Sequence, residues 1–293
     1  MLTRFAPAPT GWLHLGHVLN AEYVWGSGAR VLLRIEDHDR ERSRPEYEAG
    51  ILEDLEWLGY RADIFAGRQS DREKVYREAI EILRAQGLAY ACDCTRTEIA
   101  FRDAGSGVRG ASALARGVTH AHSGEAMAKP LRGEAGAPHE LWYSGRCRDR
   151  GLPLTDGYGW RLRVDPGIER FVDARLGPQE QDPSRQCGDF LLRDRRGNWT
   201  YQLAVTVDDW CQEIDLVIRG VDLLPSTGRQ IRLARLLGRE RPASFLHHPL
   251  IMKSRDQKLS KSDSDTGVRD LRASGWTPEQ VRAAAHRGAS TGP

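Results

Sequence analysis

Apolar positions along the first ninety residues follow two different periods. Residues 3–6 fit a short strand that ends in ProAlaProThrGly. A helix is expected from near His14 through Ala21 and Val24. ArgValLeuLeuArgIle at 30–35 reads as a second, largely buried strand, closed by the carboxylates Glu36 and Asp37. Strand, glycine-bearing turn, helix and strand in that order begin a parallel α/β unit. Two amphipathic helices follow. Ile51, Leu52, Leu55 and Leu58, then Val75, Ala79, Ile80 and Leu83, recur every three or four residues and align one face toward a core. Gly59 and Gly87 stand where those helices should stop.

After Tyr90 the pattern changes. CysAspCysThrArg opens about forty residues rich in Gly, Ala, Arg and His, reaching Pro138, that read as loops or a partly disordered insertion, with room for a short helix at 111–116. Residues 160–164 and 171–173 look like strands of a smaller, inserted region. The run 190–207 suggests a hairpin turning near Gly197 and Asn198, which puts Tyr201 on an alternating strand. Residues 215–220 read as a strand returning to a ligand crevice, and 226–237 as a helix capped by Ser226 or Thr227 with Ile231, Ala234 and Leu237 on one face. ThrProGluGln at 277–280 is a second helix start, with Thr277 at the cap, Pro278 at the first turn and Gln280 three residues on.

Composition narrows the class. The 293 residues can build one large domain or two smaller ones, and 40% hydrophobic with 29% charged residues is ordinary for a soluble globular chain. A net charge of +2 makes any nucleic-acid surface a local patch. Five unevenly spaced cysteines do not make a secreted disulfide framework; metal ligands or buried thiols fit better. No basic segment followed by an apolar run opens the chain, and no apolar run nears the roughly 20 residues that span a bilayer, so a cytoplasmic location is expected.

Lysine usage changes the picture more. Only five of the 43 basic residues are lysines, yet Lys253, Lys258 and Lys261 fall within nine residues. Lysine's compact ammonium suits phosphate. At the other end of the chain His14 and His17 flank Gly16 at the start of the first helix, where free backbone N–H groups favour an anion. Taken alone, the histidines also fit a capping or core pair, and LysLeuSerLysSer at 258–262 also fits a solvated loop.

The flanks of these elements resemble class I aminoacyl-tRNA synthetases of the glutamyl type. The resemblance rests on ArgPheAlaProAlaProThrGly at 4–11, HisLeuGlyHis at 14–17, ArgIleGluAsp at 34–37, TyrGlnLeuAlaValThrValAspAsp at 201–209, ValIleArgGly at 217–220 and LysLeuSerLysSer at 258–262. It implies an α/β fold, a class I Rossmann-like catalytic domain carrying an inserted α+β zinc-containing region. The divisions would be 1–90 and 186–240 for the two catalytic halves, 91–185 for the insertion and 241–293 for a short region bearing the lysine loop. It further implies that His14, His17, Lys258 and Lys261 assist adenylate formation, that Thr10, Gly16 and Leu259 join them around ATP, and that Mg²⁺ accompanies the nucleotide. Arg4 and Arg219 would pair with glutamate carboxylates, Glu36 would attract the α-ammonium group, Tyr201 would supply a hydroxyl and a wall, and Ala6 backbone and close packing. Ala8 and Val205 depart from the polar residues of full-length glutamyl enzymes.

Only 31 residues follow Ser262, too few for the usual anticodon-binding region. That length is similar to the shortened branch of the family that transfers activated glutamate to the queuosine base at the wobble position of tRNA(Asp). The expected partners are ATP, L-glutamate and queuosine-bearing tRNA(Asp), with no membrane and the chain acting as a monomer. The rival readings are a truncated enzyme acylating tRNA(Glu), a noncatalytic tRNA-binding paralogue, and a small adenylate-forming ligase. Cys92, Cys94, Tyr143 and Cys147 resemble the zinc ligands of the short branch, across an unusually long gap of 48 residues between Cys94 and Tyr143. Cys187 and Cys211 are expected as buried thiols. Asp208, Asp209 and Asp222 are placed near ribose, solvent or backbone. Trp142, Trp160, Trp199 and Trp210 fit packing or base stacking, and Arg161, Arg163, Arg193, Arg195 and Arg196 form a candidate RNA-backbone patch.

Overall fold

The computed structural model describes residues 1–105, 141–254, 257–258 and 267–290. The first strand β1 (Leu2–Phe5) leads to helix α1 (Leu15–Trp25) and strand β2 (Arg30–Ile35), as the sequence predicts. Helix α2 (Pro45–Trp57) follows, then an edge strand β3 (Ile64–Arg68), helix α3 (Glu73–Ala85), strand β4 (Ala89–Cys92) and helix α4 (Arg96–Gly105). Gly59 and Gly87 take positive φ, 83° and 71°, at the ends of α2 and α3. Ile51, Leu55 and Leu58 are buried, whereas Leu52 points outward.

Strands β5 (Gly159–Leu162), β6 (Glu169–Asp173) and β7 (Gly177–Gln181) come next, with a helical turn α5 (Pro183–Gln186) and strand β8 (Leu191–Arg193). The two strands expected in one inserted region separate. β5 joins β4 and β8 in a small antiparallel sheet, while β6 runs parallel to β10 (Ser244–His248) in the main sheet. The hairpin expected over 190–207 is only half a hairpin. The chain turns after β8 and bridges Arg193 to Trp199, and then residues 201–211 form helix α6 (Tyr201–Cys211). Thr200 caps that helix by accepting the Leu203 N–H. The helix is buried along almost its whole length, so its continuous apolar run lacks the polar face that would have marked the helical period.

Strand β9 (Leu216–Gly220) and helix α7 (Thr227–Leu236) complete the second half; the hairpin β11 (Met252–Ser254) and β12 (Gln257–Lys258), then helices α8 (Val268–Ala273) and α9 (Pro278–Ser290), close the described chain. The Thr277 cap is as expected: Thr277 N donates to Gln280 Oε1 at 2.8 Å and Gln280 N to Thr277 Oγ1 at 3.3 Å. The seven-stranded sheet runs β3-β2-β1-β9-β10-β6-β7, parallel except for β7. Alternate residues serve opposite faces. Phe5, Leu33 and Ile218 pack with α1, α2 and α9, whereas Leu32, Val217 and Phe245 pack with Ile231 of α7. Each such side chain contributes about 1.5–3 kcal/mol on burial. Chain direction from β1 is toward one face and from β9 toward the other, so the carboxyl ends of these adjacent parallel strands open a crevice.

Candidate active site

That crevice holds a cavity of about 800 Å³, lined at the ends of β1, β2, β9 and β10 by Ala6, Glu36, Gly220 and His248 among others. Arg4, Thr10, His14, Gly16, His17, Tyr201 and Arg219 also line it. Nine of the residues expected to touch substrate therefore face one space. Lys258 lies on β12, and Leu259 and Lys261 are outside the described residues.

The two histidines are both caps and polar donors. His14 Nδ1 accepts the Gly16 N–H at 3.0 Å, and His17 Nδ1 accepts the His14 N–H at 3.2 Å. With Nδ1 accepting, a neutral ring carries its proton on Nε2, so both rings offer Nε2–H donors. The rings lie 4.0 Å apart at 49°. Gly16 is needed for this arrangement, because a Cβ there would meet His14 Cε1 at 2.8 Å. Backbone further fixes the signature: His14 forms an antiparallel bridge with Gly267, and Val268 N donates to Leu13 O at 2.8 Å.

Arginines and carboxylates under the cavity form one buried network. Arg4 Nε lies 3.2 Å from both oxygens of Asp209, and its guanidinium also donates to Ile218 O at 3.1 Å. Arg34, fully buried, donates to Glu36 at 3.0 Å and Asp209 at 2.9 Å. Burial opposes charge on Asp209, but Arg4 and Arg34 hold its carboxyl below the usual carboxylate range. Asp208 accepts from Arg72 at 2.6 Å, Gln69 at 2.8 Å and Tyr76 at 2.9 Å. Asp208 and Asp209 are thus foundation rather than ribose or solvent contacts, because α6 turns them inward; Asp222 does line the cavity.

Arg219 is held by three acceptors: His247 Nε2 at 3.1 Å, Gln230 Oε1 at 2.6 Å and Thr227 Oγ1 at 2.9 Å. His247 Nδ1 donates to Asp173 Oδ2 at 2.6 Å. Burial, followed by the nearby Arg219 charge, pushes His247 down to about 4, so it is neutral at pH 7 and can accept from the guanidinium. Tyr201, at the first turn of α6, has its hydroxyl pKa raised by burial. Sequence reading missed His247 and Asp173, since neither belongs to a recognisable motif and strand β10 carried no clear period.

Several expectations about the periphery change. Val205 is buried in α6 and does not line the cavity, whereas Ala8 does. Trp160 and Trp199 are buried against each other with Arg193 over both rings, so burial removes Trp160 and Arg193 from the RNA-facing set. Arg161 is buried too, stacked 3.9 Å over Tyr143. Trp142 donates to Ser184 O, and Arg196 pairs with Glu41 at the surface. Cys187 is buried as expected; Cys211 is exposed because it ends α6.

Cys92, Cys94 and Cys147 converge, with their sulfurs within 4.8 Å of one another, despite the long stretch between the second and third. The Cys94 and Cys147 sulfurs are 3.7 Å apart, and Tyr143 Oη lies 3.3 Å from Cys92 and 3.5 Å from Cys94. A tetrahedron with metal–sulfur bonds near 2.3 Å and a metal–oxygen bond near 2.0 Å has edges of about 3.8 and 3.5 Å. The donor set fits a metal ion. Burial pushes Cys94 up to about 11, whereas hydrogen bonds led by that from Tyr143 outweigh burial and hold Cys147 below its usual value.

The model of the family described as tRNA synthetases class I (E and Q), catalytic domain, matches residues 1–123 and 161–291. A glutamyl-Q tRNA(Asp) synthetase of Rhodobacter capsulatus is 37% identical over 96% of this chain and 98% of its own length. One of Bordetella bronchiseptica is 42% identical over 89% of this chain and 74% of its own. A crystal structure of glutamate-tRNA synthetase from Elizabethkingia anophelis superimposes with a TM-score of 0.67 at 28% identity, covering 94% of this chain but only 54% of that enzyme. Among the described residues no helix is long and apolar enough to cross a membrane. With the catalytic-domain model matching most of its length and relatives of this identity, the chain belongs to the glutamyl-Q tRNA(Asp) synthetases, a branch of the class I tRNA synthetases.

Proposed function

We propose that this chain uses ATP to activate L-glutamate and transfers the glutamyl group to the queuosine base at the wobble position of tRNA(Asp). The observation that carries the reading is the convergence of Arg4, Glu36, Tyr201 and Arg219 with His14 and His17 on one cavity at the sheet's switch point. Two guanidiniums and one carboxylate match the two carboxylates and one ammonium of glutamate, and guanidinium forks suit carboxylate geometry.

In the first step a glutamate carboxylate oxygen attacks the α-phosphorus of ATP and pyrophosphate leaves. The nucleophile is already ionised, so positioning and charge stabilisation dominate. Arg219, locked by His247, Gln230 and Thr227, fixes one end of the amino acid. Thr10, Gly16 and Leu259 bound the nucleotide, while Ala6 gives the amino acid backbone and close packing. The Nε2–H groups of His14 and His17, with Lys258 and Lys261, steady the phosphate charge as it shifts. Mg²⁺ would accompany the nucleotide phosphates and offset their charge. In the second step a queuosine hydroxyl attacks the glutamyl carbonyl and AMP leaves. Cys92, Cys94, Tyr143 and Cys147 would hold a Zn²⁺ that pins the segment between β4 and β5; its contribution is structural.

Incubation with labelled glutamate and ATP tests the reading. Labelling of tRNA(Asp) only when it carries queuosine is expected; equal labelling without queuosine, or labelling of tRNA(Glu), overturns it. Lys261→Ala is expected to cut glutamate-dependent pyrophosphate exchange at least tenfold with little change in Tm, and unchanged exchange would remove Lys261 from the mechanism.

A further inference from the structure

His38 sits two residues beyond Glu36, half-buried in the cavity wall, its ring 6.2 Å from that of Tyr201. Its Nδ1 is 2.7 Å from Gln69 Oε1. Gln69 is 1% exposed, and its amide nitrogen donates to Asp208 Oδ2 at 2.8 Å. Asp208 already receives Arg72 and the Tyr76 hydroxyl and lies 3.7 Å from Arg34, so its carboxylate has only acceptors to offer. The amide can therefore face it only with nitrogen, which turns the amide oxygen to His38. An amide oxygen accepts and never donates, so Nδ1 of His38 carries the proton. In the neutral ring Nε2 then holds a lone pair.

This tautomer is the opposite of that in His14 and His17. The cavity wall presents two donor imidazoles, suited to phosphate oxygens, and one acceptor imidazole, suited to a hydroxyl proton. Adenylate formation needs no proton acceptor, because its nucleophile is a carboxylate. Transfer does need one. We propose that His38 takes the proton from the attacking hydroxyl in the transfer step, an inference that rests on the transfer reading above. The hydroxyl oxygen forms a bond to the glutamyl carbonyl carbon, the bond from that carbon to the phosphate oxygen breaks, AMP leaves with the electron pair, and the hydroxyl proton moves to Nε2 and then to solvent. Glu36, Asp37 and Asp39 lie beside the ring in the chain, Asp39 paired with Arg42 at 2.6 Å, and Tyr201 faces it from α6. Glu36 is engaged by Arg34 at 3.0 Å and Asp37 by the Ser70 N–H at 2.8 Å, and Gln69 keeps the His38 ring in place.

The test separates the two steps in the 293-residue chain. Wild type, His38→Gln and His38→Ala are compared for glutamate-dependent pyrophosphate exchange, then for single-turnover transfer from enzyme-bound adenylate to queuosine-bearing tRNA(Asp) across pH. The expected result is transfer slowed by about 10²-fold or more, exchange lowered by no more than a few-fold, and loss of the acid limb of the transfer profile. Gln69→Met, which removes the orienting acceptor, should slow transfer more than exchange. Transfer at the wild-type rate in His38→Ala, or an equal fall in both steps, would overturn the role. If wild type exchanges pyrophosphate yet never labels queuosine-bearing tRNA(Asp), the transfer reading itself fails and the role of His38 falls with it.

Discussion

Gly16 illustrates how one residue carries two requirements. The family resemblance puts it beside ATP; the structure adds that a methyl there would press on the His14 ring. Gly16→Ala should therefore cost only about 1 kcal/mol of stability, the scale of a lost cap. Pyrophosphate exchange should nonetheless fall tenfold or more, because the His14 donor turns away; normal exchange would show that the ring's orientation is irrelevant. Titration makes a second residue-level claim. Asp54 is 1% exposed, one of its oxygens lacks a hydrogen-bond partner among the described residues, and burial raises its pKa to about 6. Its unfolded value is near 3.9, so the folded state binds the extra proton between those values, and stability is lost as pH rises from about 4 to 6. His247 works in the opposite sense. Its pKa of about 4 lies below the unfolded value of about 6.5, so stability is lost as pH falls through that window. The two offset each other in wild type. Asp54→Asn should stabilise the protein at pH 7 by about 1–2 kcal/mol, after allowance for residual solvent screening, and should steepen its loss of stability on acidification, as chemical denaturation at pH 4.5, 5.5 and 7 would measure.

Elements explain where sequence reading succeeded and where it did not. β1, α1, β2 and the start of α9 were legible because each carries a local signal, a short buried run or a cap, that tertiary structure left in place. α6 was not, since a helix buried on all sides has no polar face to reveal its period. The edge strands β3 and β7 carry too few apolar residues to stand out. The same limits applied to the site: motif-bearing Arg4, Glu36 and Arg219 could be named, whereas His38, Gln69, His247 and Asp173 act through partners on other elements. One such partnership is testable. His247→Leu removes an acceptor from Arg219 and should raise the glutamate KM in pyrophosphate exchange about tenfold, with a smaller change for ATP; equal changes for both substrates would argue against a specific hold on the amino acid. The segment linking β4 to β5 offers another. About one zinc per chain should be found by elemental analysis, and Cys94→Ser should lose it and lower Tm by more than about 4 °C, which corresponds to the loss of one to two kcal/mol. A metal-free native protein of unchanged Tm would leave the cysteines as thiols.

At the scale of the whole molecule, motifs separated by more than 200 residues meet because β1 and β9 are neighbours in the sheet and their following helices leave to opposite faces. Arg4 and Arg219 come from those two strands, and the buried carboxylates of α6 fix the Arg4 side from below. The bridge from His14 to Gly267 ties the histidine signature to the chain immediately beyond the lysine-serine segment. The proposed activation of glutamate rests on this geometry, and the identity of the acceptor is the central claim. The most direct measurement is the position of labelled glutamate on queuosine-bearing tRNA(Asp) after nuclease digestion. Label is expected in the anticodon-loop fragment that contains the wobble base. Label on the 3′-terminal adenosine would contradict it.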